Sequence, residues 1–164
     1  MKKVVFVAPA YNAEPHIANL VESLKDQLNP NWELLFIDDI STDETVKMLN
    51  ICSGGDKRIS VVVNKHKKWA LRNVVENSRK FQDENDVIIA VIDGDDALCN
   101  ENTVDLLIKA YSENDEIDCV WTAHAWDINS MNISKRLPED PPVNPYHFPW
   151  VTSHLKTWRA SILS

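Results

Sequence analysis

The sequence is poor in glycine and cysteine, with only three of each among its 164 residues. Cys52, Cys99 and Cys119 lie far apart and form no Cys-x-x-Cys pair, which argues against a structural zinc site or a disulfide framework. Unpaired thiols are typical of a reducing compartment, so we expect a cytoplasmic location.

Long apolar runs and an excess of positive charge are also missing. No segment is apolar for long enough to cross a bilayer, and the run from Val4 to Val7 is too short for the core of a signal peptide. The formal net charge of −8 argues against nucleic acid and anionic membrane as main partners. A hydrophobic content of 44% and a charged content of 26% are globular values, so we expect one domain over residues 1–164.

The chain does have a regular alternation of short apolar segments and amphipathic segments. This alternation predicts an α/β fold, in which helices flank a mostly parallel, Rossmann-like central sheet. The predicted strands are Val4 to Ala8, Trp32 to Ile37, Ile59 to Val63, Val87 to Ile92 and Cys119 to Trp126.

Four amphipathic segments predict helices between and after these strands. Ser41 and Glu44 have the spacing of a capping box at the start of the second helix. The proline-rich stretch 137–149 predicts an extended connection, and the stretch from Leu155 to Leu163 predicts a short helix. The predicted inward faces contain Ile17, Leu20, Val21, Leu24 and Leu28; Val46, Met48 and Leu49; Leu71, Val74, Val75 and Ser78; and Val104, Leu107, Ile108 and Tyr111.

Three carboxylates follow the apolar run that ends at Ile92, in the string Asp93-Gly94-Asp95-Asp96. Carboxylates this close repel one another, so a metal ion or a sugar hydroxyl would be a natural partner. The alternative is an acidic turn, because Asp-Gly is a common turn signal. Two further polar strings, Pro9 to Asn12 and Asp38 to Asp43, also follow predicted strands. In a parallel sheet all three strings would share one edge, where open α/β folds bind ligands.

The ordered set of motifs resembles glycosyltransferase family 2, whose members have the GT-A fold. The motifs are Ala8-Pro9-Ala10-Tyr11-Asn12, Asp38-Asp39-Ile40-Ser41-Thr42-Asp43, Leu71-Arg72-Asn73 and the Asp-x-Asp string from Asp93 to Asp96. The resemblance covers roughly residues 3–126, which would form the nucleotide-sugar-binding part. Residues 127–164 would form a partial acceptor-side segment, because 152–159 resemble the corresponding segment of the family.

The resemblance implies roles on the base side of a nucleotide. Pro9, Ala10 and Tyr11 would line the base, with Glu14 closing the pocket, and Asp39 would accept a hydrogen bond from it, typically from uracil. The alternative for Asp39 is a charge at a helix N-terminus. Arg72, in the third motif, would approach the base or the diphosphate, unless it is a solvated helical arginine.

On the phosphate side, the resemblance implies that Asp93 holds the ribose and that Asp95 and Asp96 bind Mn²⁺ or Mg²⁺. Gly94 would let the nucleotide approach the backbone closely. Among the lysines, Lys65, Lys67 and Lys68 would add positive charge nearby, or would simply form a solvated loop. A third metal ligand or an acceptor contact is a less favoured role for His154.

The predicted acceptor side contains few residues that could act as a general base. Inverting members of the family use an Asp or Glu as general base, yet residues 141–164 contain neither, and Glu139 and Asp140 are the last acids. The catalytic base is therefore not assigned, and the acceptor part is expected to be truncated. Truncation would expose apolar surface and favour a homo-oligomer or a loosely ordered C-terminus. The residues expected at that surface are Val151, Leu155, Trp158, Ile162 and Leu163, with Trp150 and Trp158 as candidates for stacking on an acceptor sugar.

These observations predict a metal-dependent enzyme that transfers a sugar from a UDP-sugar, with inversion, to a sugar, lipid or protein acceptor. A non-catalytic nucleotide-sugar-binding module is the alternative, since no base is assigned. A receiver-type signalling domain would need an acid pair after the first strand, where Pro9, Ala10 and Tyr11 stand. A nucleotidyltransferase would need a glycine-rich loop there, which is also missing.

Overall fold

The computed structural model describes residues 2–122 and 155–163, which form a six-stranded sheet with helices on both faces. The strands are β1 (Lys3–Ala10), β2 (Trp32–Asp38), β3 (Ile59–Val63), β4 (Val87–Val91), β5 (Cys119–Trp121) and β6 (Lys156–Arg159). The helices are α1 (Ile17–Lys25), α2 (Thr45–Ser53), α3 (Trp69–Ser78) and α4 (Thr103–Glu113), with 3₁₀ turns at Glu14–His16, Arg79–Phe81 and Ala160–Leu163.

The strand order across the sheet is β3-β2-β1-β4-β6-β5. The first four strands run parallel, and β6 runs antiparallel to both β4 and β5. The predicted α/β fold with a mostly parallel sheet is therefore confirmed. None of the helices in the described part of the chain is long and apolar enough to span a membrane.

The central strand β1 is apolar on both faces because helices cover both. Val4 and Phe6 belong to a core shared with α1, α2 and α4. Val5 and Val7 belong to a second core, which contains Val74 of α3 and the C-terminal Ala160. A strand buried on both sides is what a continuous apolar run in a parallel sheet indicates.

The predicted helix from Leu155 to Leu163 is only partly right, because Lys156–Arg159 form the strand β6 and a 3₁₀ helix covers only Ala160–Leu163. In β6, Trp158 pairs with Ile89 of β4 on one side and with Cys119 of β5 on the other. Thr157 is buried, and so is Leu155, which was expected at an exposed apolar surface. The last predicted strand is shorter in the structure, where β5 ends at Trp121 and residue 122 lies outside it. Residues 123–126 of that prediction lie outside the described residues.

Two apolar residues that were predicted to face inward are exposed instead. Leu28 follows the end of α1 and is 63% exposed, and Leu71 in the first turn of α3 is 78% exposed. The inward face of α3 is largely polar, since Asn73, Asn77 and Ser78 are buried beside Val74. A search for apolar periodicity cannot find a helix face of this composition.

The predicted capping box of Ser41 and Glu44 is also wrong. The Ser41 hydroxyl accepts the backbone N–H of Asn12. The Asp43 carboxylate instead accepts the backbone N–H of Thr45, the first residue of α2, at 3.1 Å.

One buried hydrogen bond fastens α4 to β6. The Tyr111 and Thr157 hydroxyl oxygens are 2.8 Å apart, and Thr157 donates to the carbonyl of Val120 at 2.9 Å. Since the single hydroxyl proton of Thr157 goes to Val120, Tyr111 is the donor in the first bond.

Replacing Tyr111 by Phe should lower the free energy of unfolding by about 1 kcal/mol, because a buried hydrogen bond is lost without loss of the ring. Urea denaturation monitored by circular dichroism measures this difference. Tyr11→Phe is the matched control, since the Tyr11 side chain is largely exposed. A Tyr111→Phe variant as stable as the wild type would contradict the assigned bond.

Candidate functional site

The carboxyl ends of β1, β2 and β4 meet at one edge of the sheet, as the three polar strings predicted. The backbone carbonyl of Ala10 accepts the N–H of Asp39 at 2.9 Å, which joins the ends of β1 and β2. The carbonyl of Pro9 accepts the N–H of Gly94 at 3.2 Å, which joins β1 to the acidic string after β4. The structure therefore brings Tyr11, Asp39 and the string from Asp93 to Asp96 to one crevice.

Gly94 makes the close approach between these loops. A Cβ atom added at this position would stand 2.5 Å from the Cβ of Ala10 and 3.2 Å from its Cα. The glycine is therefore required here by packing against β1, a reason that differs from the expected close approach of a nucleotide. Pro9 and Ala10, both buried, form the floor on which Gly94 rests.

The loops after β1 and β2 are tied to each other by polar side chains. Asn12 receives the backbone N–H of Thr42 on its side-chain oxygen at 2.8 Å. The Thr45 hydroxyl accepts the backbone N–H of Ala13 at 2.8 Å. The Glu14 carboxylate accepts the backbone N–H of Glu44 at 3.1 Å, so Glu14 contacts the start of α2.

Backbone strain is concentrated at this same edge. Asn12, Ile40 and Trp69 have φ angles of 54°, 62° and 66°, in the left-handed region that side chains other than glycine disfavour. A β-branched residue such as Ile40 is a clear outlier there. Strain of this kind persists only where the surroundings enforce it, and it is most frequent at functional sites.

The Asp39 carboxylate accepts several hydrogen bonds at this edge of the sheet. One oxygen, Oδ1, accepts the amide of Asn64 and the backbone N–H of Lys68, each at 2.9 Å. The other, Oδ2, accepts the backbone N–H of Trp69 at 2.8 Å. Burial alone would raise the pKa of Asp39, but these hydrogen bonds outweigh it and hold the pKa below its ordinary value of 3.8.

Asp39 therefore fixes the start of α3, which partly matches the alternative of a charge at a helix N-terminus. The carboxylate binds the first turn of α3 rather than of the helix that follows it in sequence. Oδ1 accepts two of these bonds and Oδ2 accepts one, and the side-chain amide of Asn73 also helps to lower the pKa of Asp39.

Lys67 places a positive charge beside Oδ2 of Asp39. Its Nζ lies 4.0 Å from Oδ2 of Asp39 and donates to the Asp39 backbone carbonyl at 3.4 Å. The same ammonium lies 2.9 Å from the centroid of the Tyr11 ring and 5.5 Å from that of Trp69. Cation–π attraction acts at such distances, so one face of the Tyr11 ring is covered by Lys67.

Arg72 and Lys68 direct their charges elsewhere. Both contact the Glu76 carboxylate, at 2.6 Å and 2.8 Å, and their hydrogen bonds hold the pKa of Glu76 at about 2. The Arg72 side chain is two-thirds exposed, as expected for a solvated helical arginine. The predicted contact of Arg72 with a nucleotide stays a prediction.

The carboxylates of the acidic string from Asp93 to Asp96 differ in their exposure to solvent. Asp95 is exposed, whereas Asp93 and Asp96 are half-buried, and the Asp96 N–H bonds the Asp93 carbonyl at 3.0 Å. Within the described ranges, no group of three or more His, Cys, Asp or Glu side chains could hold a metal ion. One or two carboxylates fit Mg²⁺ or Mn²⁺ where substrate phosphates and water complete the shell.

The sequence interpretation missed two asparagines of this site. The Asn64 amide bridges the carboxylate of Asp39 and the side-chain oxygen of Asn73, at 2.9 Å and 2.7 Å. Asn73 belongs to one of the sequence motifs and Asn64 follows β3, but an asparagine in sequence gives no indication of a buried role. Among the remaining candidates, Trp158 lies within the sheet, and Trp150, Val151 and His154 lie outside the described residues.

Gly94→Ala should lower the free energy of unfolding by roughly 1–3 kcal/mol, the usual cost of overpacking. Because the nearest atom is the Cβ of Ala10, the second substitution Ala10→Gly should recover part of this loss. Chemical denaturation of both single variants and the double variant measures the coupling. Strictly additive losses would show that the two residues do not meet.

Asp39→Asn should lower the free energy of unfolding by about 2 kcal/mol at neutral pH, because the amide loses an acceptor position and the charge. Since the folded pKa of Asp39 is depressed, its stabilisation is present above pH 3.8 and is lost as the pH falls below that value. The stability gap between wild type and variant should therefore shrink as the pH is lowered from 5 to about 2.5.

The measurement is urea denaturation at a series of pH values. Asp95→Asn is the matched control, because it removes an exposed carboxylate from the same edge. A gap that stays constant over the acidic range would contradict the assignment.

Known structures share this fold. The chain superposes on the S. aureus TarS fragment 1–349 in complex with UDP with a TM-score of 0.75 at 20% identity, covering 98% of this chain and 48% of that one. It superposes on the mannosyltransferase PcManGT from Pyrobaculum calidifontis, in complex with GDP-Man and Mn²⁺, with a TM-score of 0.62 at 18% identity, covering 77% and 36% of the two chains.

Sequence comparison agrees with the structural one. The chain is 33% identical over 93 residues to TuaG of Bacillus subtilis (strain 168), a glycosyltransferase named for teichuronic acid biosynthesis. That match covers 57% of this chain and 36% of TuaG, so the chain spans less than half the length of such relatives. The model described as glycosyl transferase family 2 matches residues 5–159. The chain thus belongs to glycosyl transferase family 2, and its sheet is that of the GT-A fold.

Proposed function

We propose that this chain binds a nucleotide-sugar, with UDP as the favoured nucleotide, as the donor in a glycosyl transfer. The observation that carries the proposal is the meeting of Asp39, Tyr11 and the Asp93 to Asp96 string at the carboxyl edge of a parallel sheet. Open α/β folds bind ligands at that edge. The TarS structure with UDP provides the analogy for the nucleotide.

The base would occupy the β1–β2 side of the crevice. Pro9 and Ala10 would supply an apolar floor, Tyr11 a ring, and Asp39 its Oδ2, which accepts a backbone N–H from Trp69. Glu14 would act by fixing the loop around that pocket through its bond to Glu44. For Arg72 to reach the nucleotide, its side chain would have to leave Glu76, which its two-thirds exposure permits.

The sugar and diphosphate would occupy the β4 side of the crevice. Asp93 would hold the ribose, while Asp95 and Asp96 would hold Mn²⁺ or Mg²⁺. A divalent cation at these carboxylates neutralises the negative charge that grows on the departing diphosphate. Because the string is acidic, it would repel a bare diphosphate, and the carboxylates would therefore make donor binding metal-dependent.

The transfer step requires a group that the donor site does not supply. An inverting transfer needs a general base to take the proton of the acceptor hydroxyl, and the catalytic base stays unassigned. We further propose that residues 1–164 act as one domain, with 1–126 as its donor part and 127–164 as part of the acceptor side. A sugar, lipid or protein acceptor and a homo-oligomeric state are consistent with this proposal.

A second candidate is a nucleotide-sugar-binding module without catalysis, because no catalytic base is assigned in this chain. Both candidates bind the donor nucleotide, and they differ only in turnover. Release of UDP from a UDP-sugar on addition of an acceptor would support the enzyme. Donor binding without such release across sugar, lipid and peptide acceptors would support the binding module.

Isothermal titration calorimetry with UDP, with and without Mn²⁺, tests the donor site. Wild-type protein should bind UDP at least about tenfold more tightly with Mn²⁺ than without it. Asp95→Ala should remove most of that metal-dependent gain, because it removes a ligand that the string offers to the metal.

Asp83→Ala is the matched control, since it removes an exposed acid that lies before β4, away from the carboxyl edge. It should bind UDP as the wild type does. Absence of UDP binding by the wild type, or an Asp95→Ala variant with unchanged metal dependence, would refute the proposed donor site.

A further inference from the structure

We propose that Lys67 selects the base of the bound nucleotide, acting with Asp39 to read a carbonyl oxygen that adjoins a ring N–H. The inference rests on the proposed function, because it concerns the base pocket of the same donor site. It gives a specific task to a lysine that the sequence pattern left as part of a solvated loop.

The Lys67 ammonium lies close to both Tyr11 and Asp39. Lys67 is the half-buried lysine whose Nζ lies between the Tyr11 ring, at 2.9 Å from the centroid, and the Asp39 backbone carbonyl, at 3.4 Å. Its neighbours in the loop differ, because Lys68 contacts Glu76 and Lys65 is exposed. The Tyr11 ring thus holds the Lys67 ammonium at the mouth of the base pocket.

The Lys67 ammonium and the Asp39 carboxylate are neighbours. Nζ of Lys67 lies 4.0 Å from Oδ2 of Asp39, the oxygen that accepts the backbone N–H of Trp69. At this distance the two groups do not form a hydrogen bond with each other. They stand side by side as one donor and one acceptor, which can both bond the same edge of a planar ligand.

The four bases differ in the hydrogen-bonding groups that they present. Uracil and guanine each present a ring N–H next to a carbonyl oxygen, which would pair with Asp39 and Lys67 respectively. Cytosine and adenine present an unprotonated ring nitrogen next to an amino group, which places acceptor against carboxylate and donor against ammonium. A site built to bond one pattern rejects the other, because its polar groups are left unpaired.

The position of Lys67 in the sheet argues against a contact with the diphosphate. Lys67 lies over the ends of β1 and β2, where Tyr11 and Asp39 are. The acidic string follows β4, on the opposite side of β1 in the strand order. A base and a diphosphate are separated by the ribose, so these two regions correspond to the two ends of a nucleotide.

Calorimetry with UDP, GDP, CDP and ADP, all with Mn²⁺, tests the inference on the whole chain. Wild-type protein should bind the tighter of UDP and GDP at least about tenfold more strongly than CDP or ADP. Lys67→Met, which keeps the length of the side chain without its charge, should reduce that preference to about threefold or less. Lys67→Arg should retain most of the preference, because it restores a donor.

Lys65→Met is the matched control, since it removes the same charge from the same loop at an exposed position. Its preference should equal that of the wild type. Thermal unfolding of each variant identifies any change in binding that comes from loss of fold. If Lys67→Met does not fold, the nucleotide preference of Lys67→Arg still tests the inference.

Three results would overturn the role of Lys67 while leaving the donor site intact. These are equal binding of all four nucleotides by the wild type, an unchanged preference in Lys67→Met, and an equal loss of affinity for all four nucleotides in Lys67→Met. The last result would indicate a contact with phosphate. If the wild type binds no nucleotide at all, the proposed function itself fails, and the inference fails with it.

Discussion

The carboxylate of Asp39 is the interaction on which the candidate site depends. Asp39 follows β2, donates its backbone N–H to the Ala10 carbonyl of β1, and accepts on its carboxylate the N–H groups at the start of α3. One buried charge thus sets the relative position of three segments that are distant in sequence. Burial of a carboxylate is costly unless its oxygens are bonded, and here the backbone and Asn64 supply those bonds. The base pocket and the positioning of Lys67 both follow from this arrangement.

The crevice combines a rigid floor with a strained rim. Gly94 rests against Ala10 at a distance that no side chain would tolerate, so the acidic string is held close to β1. Around it, Asn12, Ile40 and Trp69 adopt left-handed backbone conformations. Hydrogen bonds between the loops after β1 and β2 hold Asn12 in place, and the bond from the Trp69 backbone N–H to Asp39 holds Trp69. Positional precision of this kind is what a donor site requires, because transfer depends on the alignment of the reacting atoms.

Much of this architecture could be predicted from the sequence, because apolar periodicity and the carboxyl-edge rule both apply to it. The parallel strands, the helix positions and the convergence of Tyr11, Asp39 and Asp93 came from local patterns. The failures have physical reasons. The inward face of α3 is polar, so hydrophobicity could not find it, and Leu71 was placed inside instead. The segment Lys156–Arg159 contains no signal for the partner strands that make it β structure, since β pairing is decided by distant residues. The contacts of Lys67 likewise depend on tertiary structure alone.

The placement of β6 has a consequence for folding during synthesis. β6 lies between β4 and β5 and is the strand that joins β5 to the sheet, yet it follows β5 by more than thirty residues. A nascent chain that ends before Lys156 would present β4 as an open edge with unpaired backbone groups. At a synthesis rate of roughly 5–20 residues per second, that edge would stay uncovered for seconds. An open apolar edge invites pairing with other chains, so β6, once it has been made, protects β4 from such pairing.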